Sequence, residues 1–186
     1  DIQSVDLGLA GNRYFHYVVT GGAMSSISHT TSQQLKNWFG QSAYYLSVIP
    51  QLSKMLEGMN IRIESNELET EEDALLYFVA RSPLVAGFAH LIPSAKVNDG
   101  MLHVLILRKT NLLSSAALFR DILHGTHIGR SDVLYFQTKR VYIKPFNTLS
   151  AQVGIDGELF DGAPRSIEVV PNGQLFLVPK KQFIVA

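Results

Sequence analysis

The sequence predicts a mainly β fold of the α+β kind: an antiparallel β-sandwich with a helical insertion near residues 28–57 and a helix near residues 111–124. Three observations carry that expectation. Short runs of alternating or continuous apolar residues recur along the chain, each bounded by Gly, Pro, Asn or Asp. Helical spacing is confined to two regions. With 186 residues, 46% hydrophobic and 17% charged, the chain can bury a core of its own and is too apolar to stay disordered.

The elements follow in order. Ile2 to Leu9 alternates loosely, Gly11-Asn12 offers a turn, and Arg13 to Thr20 is aromatic and β-branched. These two runs read as a hairpin, stopped by Gly21-Gly22. Ser28 to Thr31 suits a helix start, and Gln33 to Phe39 runs helical before Gly40. Ala43, Leu46, Ile49, Leu52, Met55 and Leu56 keep near-helical spacing, and Pro50 predicts a kink or two shorter helices. Ile61 to Glu67, Asp73 to Ala80 and Met101 to Leu107 read as strands. Asn111 to Leu123 reads as a helix capped by Asn111 and stopped by Gly125. Val133 to Ile143 alternates as one strand. Short strands follow at Leu149 to Val153, Glu158 to Phe160, Arg165 to Val170 and Leu175 to Pro179, the last two joined by a Pro171-Asn172-Gly173 hairpin turn. No internal repeat or linker divides the chain, so residues 1–186 read as one domain.

Composition narrows the function. Sixteen basic residues against sixteen acidic ones give no electrostatic footprint for nucleic acid. The absence of cysteine excludes disulfides and thiol chemistry and makes the cytosol the expected compartment. No run approaches the roughly 20 apolar residues of a membrane-spanning helix. The chain opens on Asp1-Ile2-Gln3 without methionine, which reads as a fragment or a processed product.

Two acidic-glycine turns are the most informative motifs: Asn98-Asp99-Gly100 and Asp156-Gly157-Glu158. Both are common turn sequences. Each also sets carboxylates beside glycine at the edge of an apolar strand. Asp156 and Glu158 stand at i and i+2, and in extended backbone their side chains share a face, as an acid-base pair would. Asp99 is too isolated for an EF-hand loop, but one carboxylate with backbone carbonyls and water suits Mg²⁺. Weaker features are His124 and His127, with Asp121 or Asp132 as further ligands, against a solvated helix end that suits histidine. Gly21-Gly22 reads as a turn or a close approach to a ligand. Lys139, Arg140 and Lys144 read as an anion site or as the wet face of a strand. No Walker-type loop, Gly-x-Gly-x-x-Gly or Gly-x-Ser-x-Gly occurs.

Taken together, the run Lys96-Val97-Asn98-Asp99-Gly100-Met101-Leu102-His103-Val104-Leu105 and the later Ile155-Asp156-Gly157-Glu158 resemble the C-terminal part of the bacterial diacylglycerol kinase family. That family includes the YegS-like lipid kinases and is related to sphingosine kinases. Tyr14-Phe15 leading to Thr20-Gly21-Gly22, and Thr31, Lys36, Gly40 and Ala43-Tyr44, extend the resemblance over nearly the whole chain. The chain departs at Tyr17, where the family usually has Asn, and at Ala23-Met24, where Phe-Gly or Phe-Asp is common.

The resemblance implies the C-terminal β-sandwich domain of a two-domain lipid kinase, active at the cleft between domains. The N-terminal domain, with its Gly-Gly-Asp-Gly-Thr nucleotide loop, is absent from this chain. It implies Glu158 as the catalytic base for a lipid hydroxyl, such as that of diacylglycerol, with Asp156 beside it. It implies a structural Mg²⁺ held by the Asp99 carboxylate and the main-chain carbonyls of Lys96 and Met101, and a second Mg²⁺ that travels with ATP. ATP would bind through the missing domain, so this fragment alone is expected to be inactive. The enzyme would be cytoplasmic, touching the inner face of the membrane peripherally, with Trp38 and Phe39 as candidates for that contact or for core packing. Family members often form homodimers. The alternative is a non-catalytic β-sandwich module that binds lipid or protein.

Overall fold

A computed structural model describes residues 1–22, 58–83, 85, 90–146, 152–164 and 166–179. The expected helical insertion at 28–57, with Trp38 and Phe39, lies outside the described residues. Eleven strands and one helix stand among those described: β1 (Ile2–Ala10), β2 (Arg13–Phe15), β3 (Val18–Gly22), β4 (Met59–Ser65), β5 (Glu69–Ala80), β6 (Leu102–Arg108), α1 (Leu112–His124), β7 (Val133–Thr138), β8 (Arg140–Pro145), β9 (Gln152–Ile155), β10 (Glu158–Asp161) and β11 (Ile167–Leu177). The mainly β expectation holds.

All strands join one antiparallel sheet in the order β10-β9-β3-β5-β4-β8-β11-β1-β2, with β6 paired to β5 and β7 to β6. The sheet curls until its ends meet. The Arg13 guanidinium, on β2, lies 4.0 Å over the Phe160 ring on β10. Inside the curl, Phe15, Val19, Ile61, Tyr77, Leu102, Ile106, Val141, Val153 and Ile167 form one buried cluster fed from both ends of the path. A second cluster lies on the other face of β5 and β6. There, Phe78, Leu105 and Leu107 pack against Leu118 and Ile122 of α1 and against Val85, Leu91 and Ile92.

This arrangement explains the run Leu102-His103-Val104-Leu105-Ile106-Leu107. One side of β6 faces the inner cluster and the other the outer, so every residue is buried. The second half of β5 also serves both clusters, through an irregularity. Ala74 and Tyr77, three apart, both face the inner cluster, because the register with β6 slips between Ala74 and Leu76. Gly21 is likewise a packing residue. A Cβ there would stand 2.3 Å from the Tyr77 ring, so glycine makes room for a core aromatic rather than for a ligand or a turn.

The helix matches its signals. The Asn111 side chain accepts from Ser114 N–H at 2.8 Å, and Gly125 closes the helix in the left-handed conformation.

Three strand expectations need correction. Arg13 to Thr20 is two strands, because the chain leaves β1 after Phe15 and β3 pairs with β5 and β9 instead. Val133 to Ile143 is also two. The Thr138 hydroxyl satisfies Arg140 N–H and Arg140 C=O, and the break sends β7 to β6 and β8 to β4 and β11. Pro171-Asn172-Gly173 is no hairpin. β11 runs through it, with Val170 opposite Leu7 and Gln174 opposite Val5, so the three residues bulge out against Asp6.

The two-faced burial of β6 gives a stability contrast. Ile106→Ala, at a fully buried position, should cost about 2–5 kcal/mol in urea unfolding, by analogy with buried large-to-small changes. Leu113→Ala on α1, where Leu113 is 83% exposed, should change it by less than about 0.5 kcal/mol.

Candidate functional site

Asp156 and Gly157 form the two-residue turn between β9 and β10, with φ +49° and +91°. Paired positive φ values are what such hairpins require, and Asp and Gly tolerate them. The premise that Asp156 and Glu158 share a strand face therefore fails: Asp156 belongs to the turn and Glu158 opens β10. The two acids also have different surroundings. Asp156 Oδ1 accepts from Tyr17 N–H and Val18 N–H at 2.9 Å each, and Oδ2 accepts from His16 N–H at 2.7 Å. Asp156 N–H returns a bond to Val18 C=O at 2.9 Å. These donors sit where β2 breaks into β3 and lacks a sheet partner. Asp156 thus clamps one end of the curled sheet to the other.

Glu158 is exposed and sits opposite Ile155 in the register, and its side chain makes no hydrogen bond or ion pair among the described residues. A free carboxylate on a fixed hairpin can accept a proton from an approaching hydroxyl. His16 lies beside this corner. Its Nδ1 is 3.8 Å from Asp156 Oδ2, its Nε2 is 2.6 Å from Gln174 Oε1, and its ring meets Phe176 edge-on. Nothing in the sequence pattern marked His16. Only the tertiary fold brings it to the turn.

The second acidic turn is built from donors. Asp99 Oδ1 accepts from Met101 N–H at 3.0 Å, and Oδ2 accepts from Lys96 N–H at 3.0 Å and meets His103 Nε2 at 2.8 Å. Burial acts to raise the Asp99 carboxyl. The bond from His103 and those from Lys96 and Met101 outweigh it and hold the group below its ordinary value. From His103 a chain continues through Nδ1 to Tyr135 OH at 2.8 Å and on to Ser94 Oγ at 2.6 Å.

The same loop is tied to β1. Asn98 Nδ2 donates to Ser4 C=O at 2.9 Å, and Asn98 Oδ1 accepts from Asp6 N–H at 3.3 Å. The Asp6 side chain, itself buried, accepts from Gly100 N–H at 3.0 Å and Asn172 N–H at 2.9 Å. The β11 bulge and the 96–101 loop therefore close on one carboxylate.

A cation at Asp99 finds a poor fit. Both carboxylate oxygens face N–H donors, two of them from Lys96 and Met101, the residues expected to offer carbonyls. Arg81 is buried beside the loop, under the charges of Asp6 and Asp99.

The remaining candidates resolve structurally. His124 is exposed, and its Nδ1 meets Arg120 C=O. His127 is wholly buried and donates from Nε2 to Leu91 C=O at 2.9 Å, and burial pushes its imidazole down. Asp121 and Asp132 both bind Arg130, so neither completes a histidine site. On β8, Arg140 is exposed and pairs with Glu168 across the sheet, as a wet strand face does. Arg81 and His103 went unmarked in the sequence, although a charged residue closing one apolar run and a histidine inside another were visible signals.

The chain is similar to known proteins. Residues 17–178 match the family model described as the YegS C-terminal NAD kinase beta sandwich-like domain. Proteins named diacylglycerol kinase from Staphylococcus aureus strains JH9 and Newman are each 33% identical over 154 residues, which is 83% of this chain and 48% of theirs. The chain spans about half the length of the curated relatives it matches. A crystal structure of a diacylglycerol kinase from Bacillus anthracis str. Sterne superposes with a TM-score of 0.68 at 22% identity, covering 94% of this chain and 56% of that one. That likeness is one of fold.

Two outcomes follow from the acid geometry. Asp156→Ala should strip hydrogen-exchange protection from the His16, Tyr17 and Val18 amides, whereas Asp156→Asn, which keeps Oδ1, should retain it at Tyr17 and Val18. Asp99 is lower in the folded chain than its unfolded value. Its ionised form thus stabilises the fold above the ordinary carboxylate range, and that contribution is lost as pH falls through the folded value. Urea midpoints taken from about pH 7 down to about pH 2 should fall less steeply for Asp99→Asn than for the parent chain.

Proposed function

The chain belongs to the YegS C-terminal NAD kinase beta sandwich-like domain family, and we propose that it is the acceptor-side domain of an ATP-dependent lipid kinase. Relatives carrying the name diacylglycerol kinase support a lipid alcohol as the acceptor class. One observation carries the reading: Glu158 is an exposed, unpaired carboxylate on a hairpin that Asp156 fixes to the β2–β3 corner.

In this reading Glu158 receives the proton of the lipid hydroxyl as its oxygen attacks the γ-phosphorus of ATP. The bond from that phosphorus to the β–γ bridging oxygen breaks, and ADP leaves. Asp156 is a positioning residue, since its carboxylate is spent on backbone N–H groups. ATP and its accompanying Mg²⁺ would bind to the part of the enzyme that lies outside this chain. No helix among the described residues is long and apolar enough to cross a membrane. Access to a lipid would then come through peripheral contact.

A non-catalytic binding module has one observation on its side. Ile2, Leu175 and Leu177, on the paired ends of β1 and β11, are 69%, 67% and 86% exposed and present apolar surface for an interaction. Activity separates the two readings. In a full-length protein containing this domain, Glu158→Ala and Glu158→Gln should each lower lipid phosphorylation by about 10²–10⁴-fold, the usual worth of a general base. The thermal midpoint should stay that of the parent. Equal rates would remove Glu158 from the chemistry, and no phosphorylation by the parent itself would favour the module.

A further inference from the structure

Arg81 is 1% exposed, and no other arginine or lysine in the described structure is buried. Its Nη2 donates to Val97 C=O at 2.7 Å and lies 3.6 Å from Asp6 Oδ2. Its Nε and Nη1 have no hydrogen-bond partner among the described residues. A guanidinium keeps its charge in a protein, so burying one demands facing anions. Asp6 and Asp99 are those anions: burial pushes the Arg81 guanidinium down, and both charges act against that push. The position is thus that of a counter-ion to the two acids that hold the 96–101 loop on β1.

The acids have little left to offer a second cation. Asp6 Oδ1 takes Asn172 N–H and Oδ2 takes Gly100 N–H. Asp99 Oδ1 takes Met101 N–H, while Oδ2 takes Lys96 N–H and His103 Nε2. A divalent ion at Asp99 would displace these donors. It would also face the charge of Arg81 through protein, where screening is weaker than in water. The two unpartnered nitrogens of Arg81, Nε and Nη1, point the same way, because their N–H groups call for an acceptor nearby and oppose a cation.

We propose that Arg81 is the resident cation of this loop, supplying the positive charge that a bound metal ion would otherwise bring, so that Lys96–Met101 keeps its shape without metal. The inference concerns the loop alone and stands apart from the role of Glu158.

Metal binding and thermal unfolding of the chain test it. Mn²⁺ serves as the paramagnetic probe for binding. Calorimetry compares a chelator with magnesium chloride. The parent chain should show no stoichiometric Mn²⁺ site and the same thermal midpoint in both solutions. Arg81→Gln keeps a donor for Val97 C=O but removes the charge. It should melt earlier in chelator, recover with Mg²⁺ and acquire a Mn²⁺ site, and Asp99→Asn in the same chain should abolish that response. A Mn²⁺ site in the parent that Asp99→Asn removes would overturn the proposal. So would Arg81→Gln melting at the parent's temperature. If Arg81→Gln does not fold, the parent's metal response still decides.

Discussion

Backbone N–H groups that leave a sheet must find other acceptors, and in this protein aspartate carboxylates provide them. Asp156 takes the amides of His16, Tyr17 and Val18 where β2 breaks into β3. Asp99 takes those of Lys96 and Met101, and Asp6 those of Gly100 and Asn172. A buried amide without a partner costs about 1–3 kcal/mol. Each acid therefore sits where the strand ladder is interrupted. The curl of the sheet, the seat of the 96–101 loop and the β11 bulge all rest on this provision.

The same provision separates the acids by role. Asp6, Asp99 and Asp156 are filled with protein donors, while Glu158 remains exposed and unpaired. In the sequence the four look alike, each beside a turn or a strand. What distinguishes them is which amides the fold brings within reach, and that is a tertiary fact. A carboxylate saturated by backbone donors is a rigid fixture, whereas a free one on a rigid hairpin can exchange a proton.

Much of the fold was legible because its signals are local. Asn111 and Gly125 bracket the helix as their capping chemistry requires, and the apolar run of β6 reports burial on both faces. The failures share a cause. Arg13 to Thr20, read from its aromatic and β-branched residues, and Val133 to Ile143, read from its alternation, each look like a single strand because the signal continues through a point where the pairing partner changes, and neither signal records partners. Pro171-Asn172-Gly173 has turn chemistry, and Asn172 does adopt a positive φ of 54°, but the chain uses it for a bulge. In the site, both acidic turns were visible as motifs. Arg81, His103, Tyr135 and His16, which define the surroundings of those turns, came together only through long-range pairing.

The extra residue at Leu75 fixes the length of β5. Ala74 lies before it and Tyr77 and Val79 after it, all on the inner cluster, while Phe78 and Ala80 serve the outer one. Removing one residue there would turn the second half of the strand inside out. The inward tyrosine would exchange sides with a phenylalanine, and the space Gly21 leaves for its ring would stand empty. Related sequences can accordingly vary in residue type along this strand far more freely than in residue number, and an alignment gap at this point would mark a chain whose two cores have been rebuilt.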